Sequence, residues 1–171
     1  MKSFFKKVNK KNCIAKIKRN NGFLMIEILI AISIIVASVF SAMAVSSRAI
    51  LVSHQSVHIS QASFLLEEGA EVVRIIRDNS WDNISSLDNL TTYYPVYADS
   101  AWSLSAIPSQ VGIFTRTITI SSVNRDSATG DISDSGTDDP GTKLVTVNVS
   151  WQEGSKNMSK SLSFYISNIF L

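Results

Sequence analysis

The feature that most constrains this chain is an apolar run from Phe23 to Val45, reading FLMIEILIAISIIVASVFSAMAV. Its 23 residues carry one charge, Glu27. As a helix rising ~1.5 Å per residue it measures roughly 34 Å, enough to cross the ~30 Å hydrocarbon core of a bilayer. Ile and Val are middling helix formers in water, but hydrocarbon offers the backbone no outside partner, so such a segment closes its hydrogen bonds locally. The run predicts one membrane-spanning helix over residues 23–47, with membrane lipid as its surroundings.

Charge distribution gives that helix a direction. Residues 1–22 carry eight basic side chains (Lys2, Lys6, Lys7, Lys10, Lys11, Lys16, Lys18, Arg19) and no acid. The whole chain has 16 basic and 14 acidic residues, so from Phe23 onward eight bases face 14 acids, a net of −6 hidden beneath the overall +2. Only Arg48 follows the run closely. Positive charge ahead of the run places the N-terminus in the cytoplasm and the C-terminal part outside. A basic tail by itself suits nucleic acid, but orientation accounts for this one, and no direct nucleic-acid binding is expected. A conventional secretory signal is the competing reading, because Ala42-Met43-Ala44 has the small-x-small form of a cleavage site. Such signals total about 15–30 residues around an apolar core of about 7–15. Twenty-two leading residues, a longer run and an acid inside it fit poorly.

The junction reads Lys18-Arg19-Asn20-Asn21-Gly22-Phe23-Leu24-Met25-Ile26-Glu27. A basic leader ending in Gly, a bulky apolar residue, Glu at the fifth place after Gly and a long apolar helix together resemble the cleavage and methylation signal of type IV prepilins. The related pseudopilins of type II secretion and competence systems share that signal. The resemblance implies that Gly22 precedes a cut made by a membrane-embedded prepilin peptidase on the cytoplasmic face. Phe23 would then be the N-methylated first residue of a 149-residue mature chain, and Glu27 the acid used in methylation and subunit docking. It further implies a structural subunit of a pilus-like filament, partnered by other pilin subunits and inner-membrane assembly machinery. Leu24-Met25 departs from the family's frequent Thr-Leu. The apolar helix lacks the proline of many major pilins, and the mature part lacks their cysteine pair. These departures favour a minor pilin or pseudopilin over a major subunit.

Physical chemistry gives Glu27 an independent meaning. A carboxylate in hydrocarbon costs ~2.5–3.5 kcal/mol on insertion scales and persists only with a partner or a purpose. Cleavage after Gly22 would create a cationic amine four residues away, about one helical turn. That amine, on the same or a neighbouring subunit, is its natural partner. The plainer alternative is an interfacial Glu reaching to water.

Beyond the run, Ile59, Ala62, Leu66, Ala70, Val73 and Ile76 recur at three- and four-residue steps, one face of a helix extending to about residue 80. Glu67, Glu68, Glu71 and Arg74 fall largely off that stripe. Residues 61–81, QASFLLEEGAEVVRIIRDNSW, also resemble minor pilins termed pilus modification proteins. Gly69 costs about 1 kcal/mol relative to Ala inside a helix, which close packing would explain. A change of character near Asp78 starts a β-rich head, residues 81–171. Tyr93, Tyr94, Tyr97 and Trp102 form a connecting region bracketed by Pro95 and Pro108. Strands are expected over 113–123 (Phe114, Ile118 and Ile120 on one face), 143–151 (Val145, Val147, Val149, Trp151) and 159–167 (Leu162, Phe164, Ile166). Glu153-Gly154-Ser155-Lys156 reads as a hairpin turn. The fold class is α+β, a long N-terminal helix on a small antiparallel sheet, as the pilin resemblance also implies.

Residues 124–142 are the most polar stretch. Asp126, Asp131, Asp134, Asp138 and Asp139 are oxygen donors suited to Ca²⁺, but their order fails the EF-hand pattern, and a solvated hairpin loop is the favoured reading. His54 and His58 are four apart on the helix, with no Cys or acid at helical spacing to complete a metal site (Glu67 and Glu68 lie more than two turns away), and read as surface histidines. Cys13 is the single thiol, so no internal disulfide forms. No nucleophile triad or phosphate loop is present, so neither an enzyme nor a cofactor is expected. Against the filament subunit stands one alternative, a membrane-anchored or secreted β-rich binding or adhesion module that needs no processing at Gly22.

Overall fold

The computed structural model describes residues 21–170, with side chains from Leu24. Residues 1–20 of the basic leader lie outside the described residues, as do the side chains of Asn21 and Phe23. Helix α1 runs unbroken from Asn21 to Asn79, 59 residues. The chain divides into two compact units between Ala49 and Ile50.

In the first unit, every described side chain of α1 is exposed. The helix is long and apolar enough to cross a membrane. Four of the five serine hydroxyls in this part of the helix are turned inward onto the backbone. Ser33 Oγ donates to Ile30 O at 2.7 Å, Ser38 to Ile34 O at 2.7 Å, Ser41 to Ala37 O at 2.8 Å and Ser47 to Met43 O at 3.0 Å. Each bond removes an unpaired donor that hydrocarbon could not satisfy.

In the second unit, the remainder of α1 lies on an antiparallel sheet, the α+β arrangement expected. A short helix α2, Asp82–Ser85, follows. The strands are β1 Thr92–Ala98, β2 Ala101–Ser105, β3 Gln110–Val111, β4 Phe114–Arg125, β5 Ile132–Ser133, β6 Thr137–Glu153 and β7 Lys156–Ser167. Their order is β2-β1-β4-β6-β7, with β3 and β5 also paired to β4. The expected helical stripe is buried at Ala62, Leu66, Ala70, Val73 and Ile76, joined by Val72. Ile59 at its start remains 37% exposed. From the sheet, Phe114, Ile118, Ile120, Val145, Val147, Val149, Trp151 and Ile166 face these residues, and Ile84 of α2 closes one end. Burying each Val, Leu, Ile or Phe among them contributes ~1.5–3 kcal/mol.

Gly69 and its alanine neighbours allow helix and sheet to approach closely. A Cβ placed on Gly69 would stand 2.7 Å from Val147 Cγ1 and 3.3 Å from Arg116 Cδ. The expected hairpin forms with Glu153 opposite Lys156, and Gly154 at φ +60° supplies the left-handed turn position.

Two expectations require correction, and one side chain on an expected face is less covered than its neighbours. The aromatic region 93–102 is a hairpin and not a connection. Tyr94 to Ala98 pair with Ser105 to Ala101, and Asp99 and Ser100 at φ 51° and 64° form the two-residue turn. Pro95 is tolerated because β1 meets β4 only through Thr92 and Tyr93. The polar stretch 124–142 is not a loop throughout, since Asn124 and Arg125 pair with Asp138 and Thr137 beyond a bulge near Ser122. On β7, Leu162 shares the inner phase with Phe164 and Ile166 yet stays 38% exposed. That strand is at the sheet's edge and has a neighbour on one side only.

Candidate functional site

The first candidate site is the start of α1. The expected cleavage pair, Gly22 and Phe23, has helical backbone, since α1 begins at Asn21. Glu27 is exposed one turn further on and forms no ion pair among the described residues. Leu24, Met25, Ile26, Ile28, Leu29 and Ile30 around it are 45–69% exposed. A carboxylate is thus set in a collar of apolar side chains that no other described residue covers. Any environment that covers the collar must also deal with the charge, because an unpaired carboxylate is expensive out of water.

The head carries two side-chain pairs that link distant parts of the sequence. Arg116 is 4% exposed, and its Nη1 donates to Glu68 Oε2 at 2.5 Å and to Leu65 O at 3.4 Å. Its guanidinium carbon lies 5.8 Å from the Trp102 ring centroid, while Nε has no hydrogen-bond partner among the described residues. Arg116 stands between Phe114 and Ile118 in the apolar phase of β4, a misplaced charge that the alternation itself makes visible. The second pair is His58 Nδ1 to Glu153 Oε2 at 2.6 Å. Trp151 Nε1 donates to the same oxygen at 3.3 Å, and Phe114 packs edge-on to His58 with centroids 6.2 Å apart. The hydrogen bond from His58 holds the Glu153 carboxyl below its ordinary value, with Trp151 assisting. His58 is therefore no simple surface histidine. Its partner lies 95 residues away, so helical spacing gave no sign of it.

Two of the five acids of residues 124–142, Asp126 and Asp139, have structural tasks. Asp126 Oδ1 accepts from the backbone N–H groups of Ala128 and Thr129 at 2.7 and 3.0 Å, and these bonds lower its pKa. Asp139 Oδ2 accepts from Arg125 Nε at 2.6 Å, which lowers that carboxyl as well. Arg125 also donates to Gly130 O and to Thr142 Oγ1, pinning both sides of the segment. No three His, Cys, Asp or Glu side chains gather as a metal cage among the described residues. Asp126, Asp131, Asp134, Asp138 and Asp139 thus supply no such group of three among the described residues.

An open apolar groove of about 480 Å³ lies between α1 and the β3–β4 turn. Phe64, Val111 and Ile113 along it are 70%, 47% and 52% exposed.

No family model matches this chain, and neither a curated protein nor a solved structure shows significant similarity to it.

Proposed function

We propose that this chain is a structural subunit of a type IV pilus-like or type II secretion-like filament, of the minor pilin or pseudopilin kind. It inserts with the basic leader in the cytoplasm and the head outside. A prepilin peptidase cuts between Gly22 and Phe23, and Phe23 is N-methylated. The apolar helix leaves lipid by packing against the helices of other subunits, drawn out by inner-membrane assembly machinery. The head then lies on the outside of an extracellular or periplasmic filament.

The observation that carries this reading is the apolar half of α1, whose side chains from Leu24 are left unburied by the other described residues, headed by the Gly22-Phe23 junction and Glu27. Apolar surface on that scale needs lipid, other helices or both in turn. Tied-back serines and the small pairs Ala37/Ser41 and Ser38/Ala42 suit close helix–helix contact. Glu27 suits pairing with the new amine of Phe23.

Intact mass and N-terminal sequencing of membrane-extracted protein test the proposal. The expected product begins at methylated Phe23 and has 149 residues. A chain beginning at Val45 means ordinary secretion. One beginning at Met1 means a plain membrane anchor, the binding-module alternative.

A further inference from the structure

We propose that His54 and His58 form a two-imidazole site for a divalent transition-metal ion of the zinc and copper class, with Glu153 orienting His58 from behind. This goes beyond the filament reading and does not depend on it.

Three observations carry the inference. First, α1 is continuous helix from Asn21 to Asn79, so residues four apart stand one above the other on one face, with Cβ atoms about 5–6 Å apart. That spacing lets two imidazoles close on a single ion. Second, His58 Nδ1 is already engaged by Glu153 Oε2 at 2.6 Å. In the neutral ring Nδ1 then carries the proton and Nε2 presents its lone pair. Carboxylate behind, imidazole between and metal in front is the arrangement by which proteins fix a ligating histidine. Third, Glu153 is itself held by Trp151 Nε1 at 3.3 Å, and His58 and Glu153 are only 28% and 20% exposed. The ring is therefore fixed, whereas His54 is exposed and free to swing onto an ion.

Among the described residues no third donor joins them, so water completes the coordination and the ion exchanges readily. Imidazole donors favour Cu²⁺ over Zn²⁺ and bind Mg²⁺ or Ca²⁺ poorly.

The test uses the full chain in detergent micelles with Cys13→Ser, so that no thiol competes, titrated calorimetrically with Cu²⁺ and with Zn²⁺. One equivalent is expected, tighter for Cu²⁺. His54→Asn, at an exposed position that leaves the fold intact, should weaken binding at least tenfold. Glu153→Gln should weaken it by about 10–100-fold. Electron paramagnetic resonance of the copper-loaded protein should report nitrogen donors from two imidazoles. Absence of saturable binding, equal affinity in His54→Asn, or a spectrum with oxygen donors alone overturns the proposal.

Discussion

Substituting Gly69 by Ala tests the closest approach of helix and sheet. In an open helix the change stabilises by about 1 kcal/mol, because Gly surrenders more backbone freedom. Here the new methyl would sit 2.7 Å from Val147 Cγ1. Val147 has little room to yield. It is fully buried, it lies on β6 between β4 and β7, and its branched Cβ restricts χ1. Overpacking of this kind costs about 1–3 kcal/mol. The net expectation for Gly69→Ala is thus a loss of roughly 0–2 kcal/mol, and Gly69→Val should be worse. Denaturant unfolding followed by the fluorescence of the head's three tryptophans, Trp81, Trp102 and Trp151, reads the change. The decisive comparison repeats Gly69→Ala in a Val147→Ala background, where the colliding methyl is gone and the substitution should stabilise by about 1 kcal/mol. If Gly69→Ala gains that amount in the unaltered protein, the helix does not sit where described and the packing argument fails.

Other perturbations have definite signs. Ile84→Ala, at a fully buried position, should cost about 2–5 kcal/mol of unfolding free energy in the same assay. Glu68→Ala leaves the buried Arg116 charge without its carboxylate and should cost about 1–3 kcal/mol; Arg116→Met in that background should recover part of it by filling the slot without charge. Glu153 and Asp139 have carboxyls lowered by His58 and Arg125 respectively. Their stabilisation is complete above the unfolded-state pKa values and disappears as pH falls below about 4.5 and 3.8. Thermal unfolding between pH 6 and 3 should therefore steepen downward in that window, less so in His58→Asn.

Elements set by local periodicity could be read directly from residues. The stripe Ala62-Leu66-Ala70-Val73-Ile76 and the alternation Val145-Val147-Val149-Trp151 each repeat with the period of their element, and each is buried as that period requires. Gly69 was legible too, since a costly residue inside a helix needs a reason, and Val147 supplies it. The β1–β2 hairpin was not, because its turn is Asp99-Ser100 where a glycine would announce it, and Pro95 argued against a strand. Arg125 hid the extension of β4 and β6. A run of acids reads as solvated loop until one guanidinium joins Asp139, Gly130 and Thr142. His58 with Glu153 lay beyond any local pattern, because topology alone brings the end of β6 to that turn of the helix.

Glu27 joins the physics of the stem to the proposed assembly, and its replacement should act with opposite signs on two steps. In lipid the carboxylate is a liability of ~2.5–3.5 kcal/mol, so Glu27→Val should insert at least as well as the parent. In a filament core the same carboxylate is expected to neutralise the amine of Phe23, and Val leaves that cation buried without a partner. Breaking a buried pair by removing one member costs about 3–5 kcal/mol, two to four decades in an assembly equilibrium. Membrane fractionation reads the first step, and the abundance of this subunit in sheared filaments reads the second. Normal insertion with lost incorporation is the expected pattern. Equal incorporation of Glu27→Val would mean that Glu27 only reaches to interfacial water. Poor insertion would mean that the carboxylate is used before assembly, at the membrane surface.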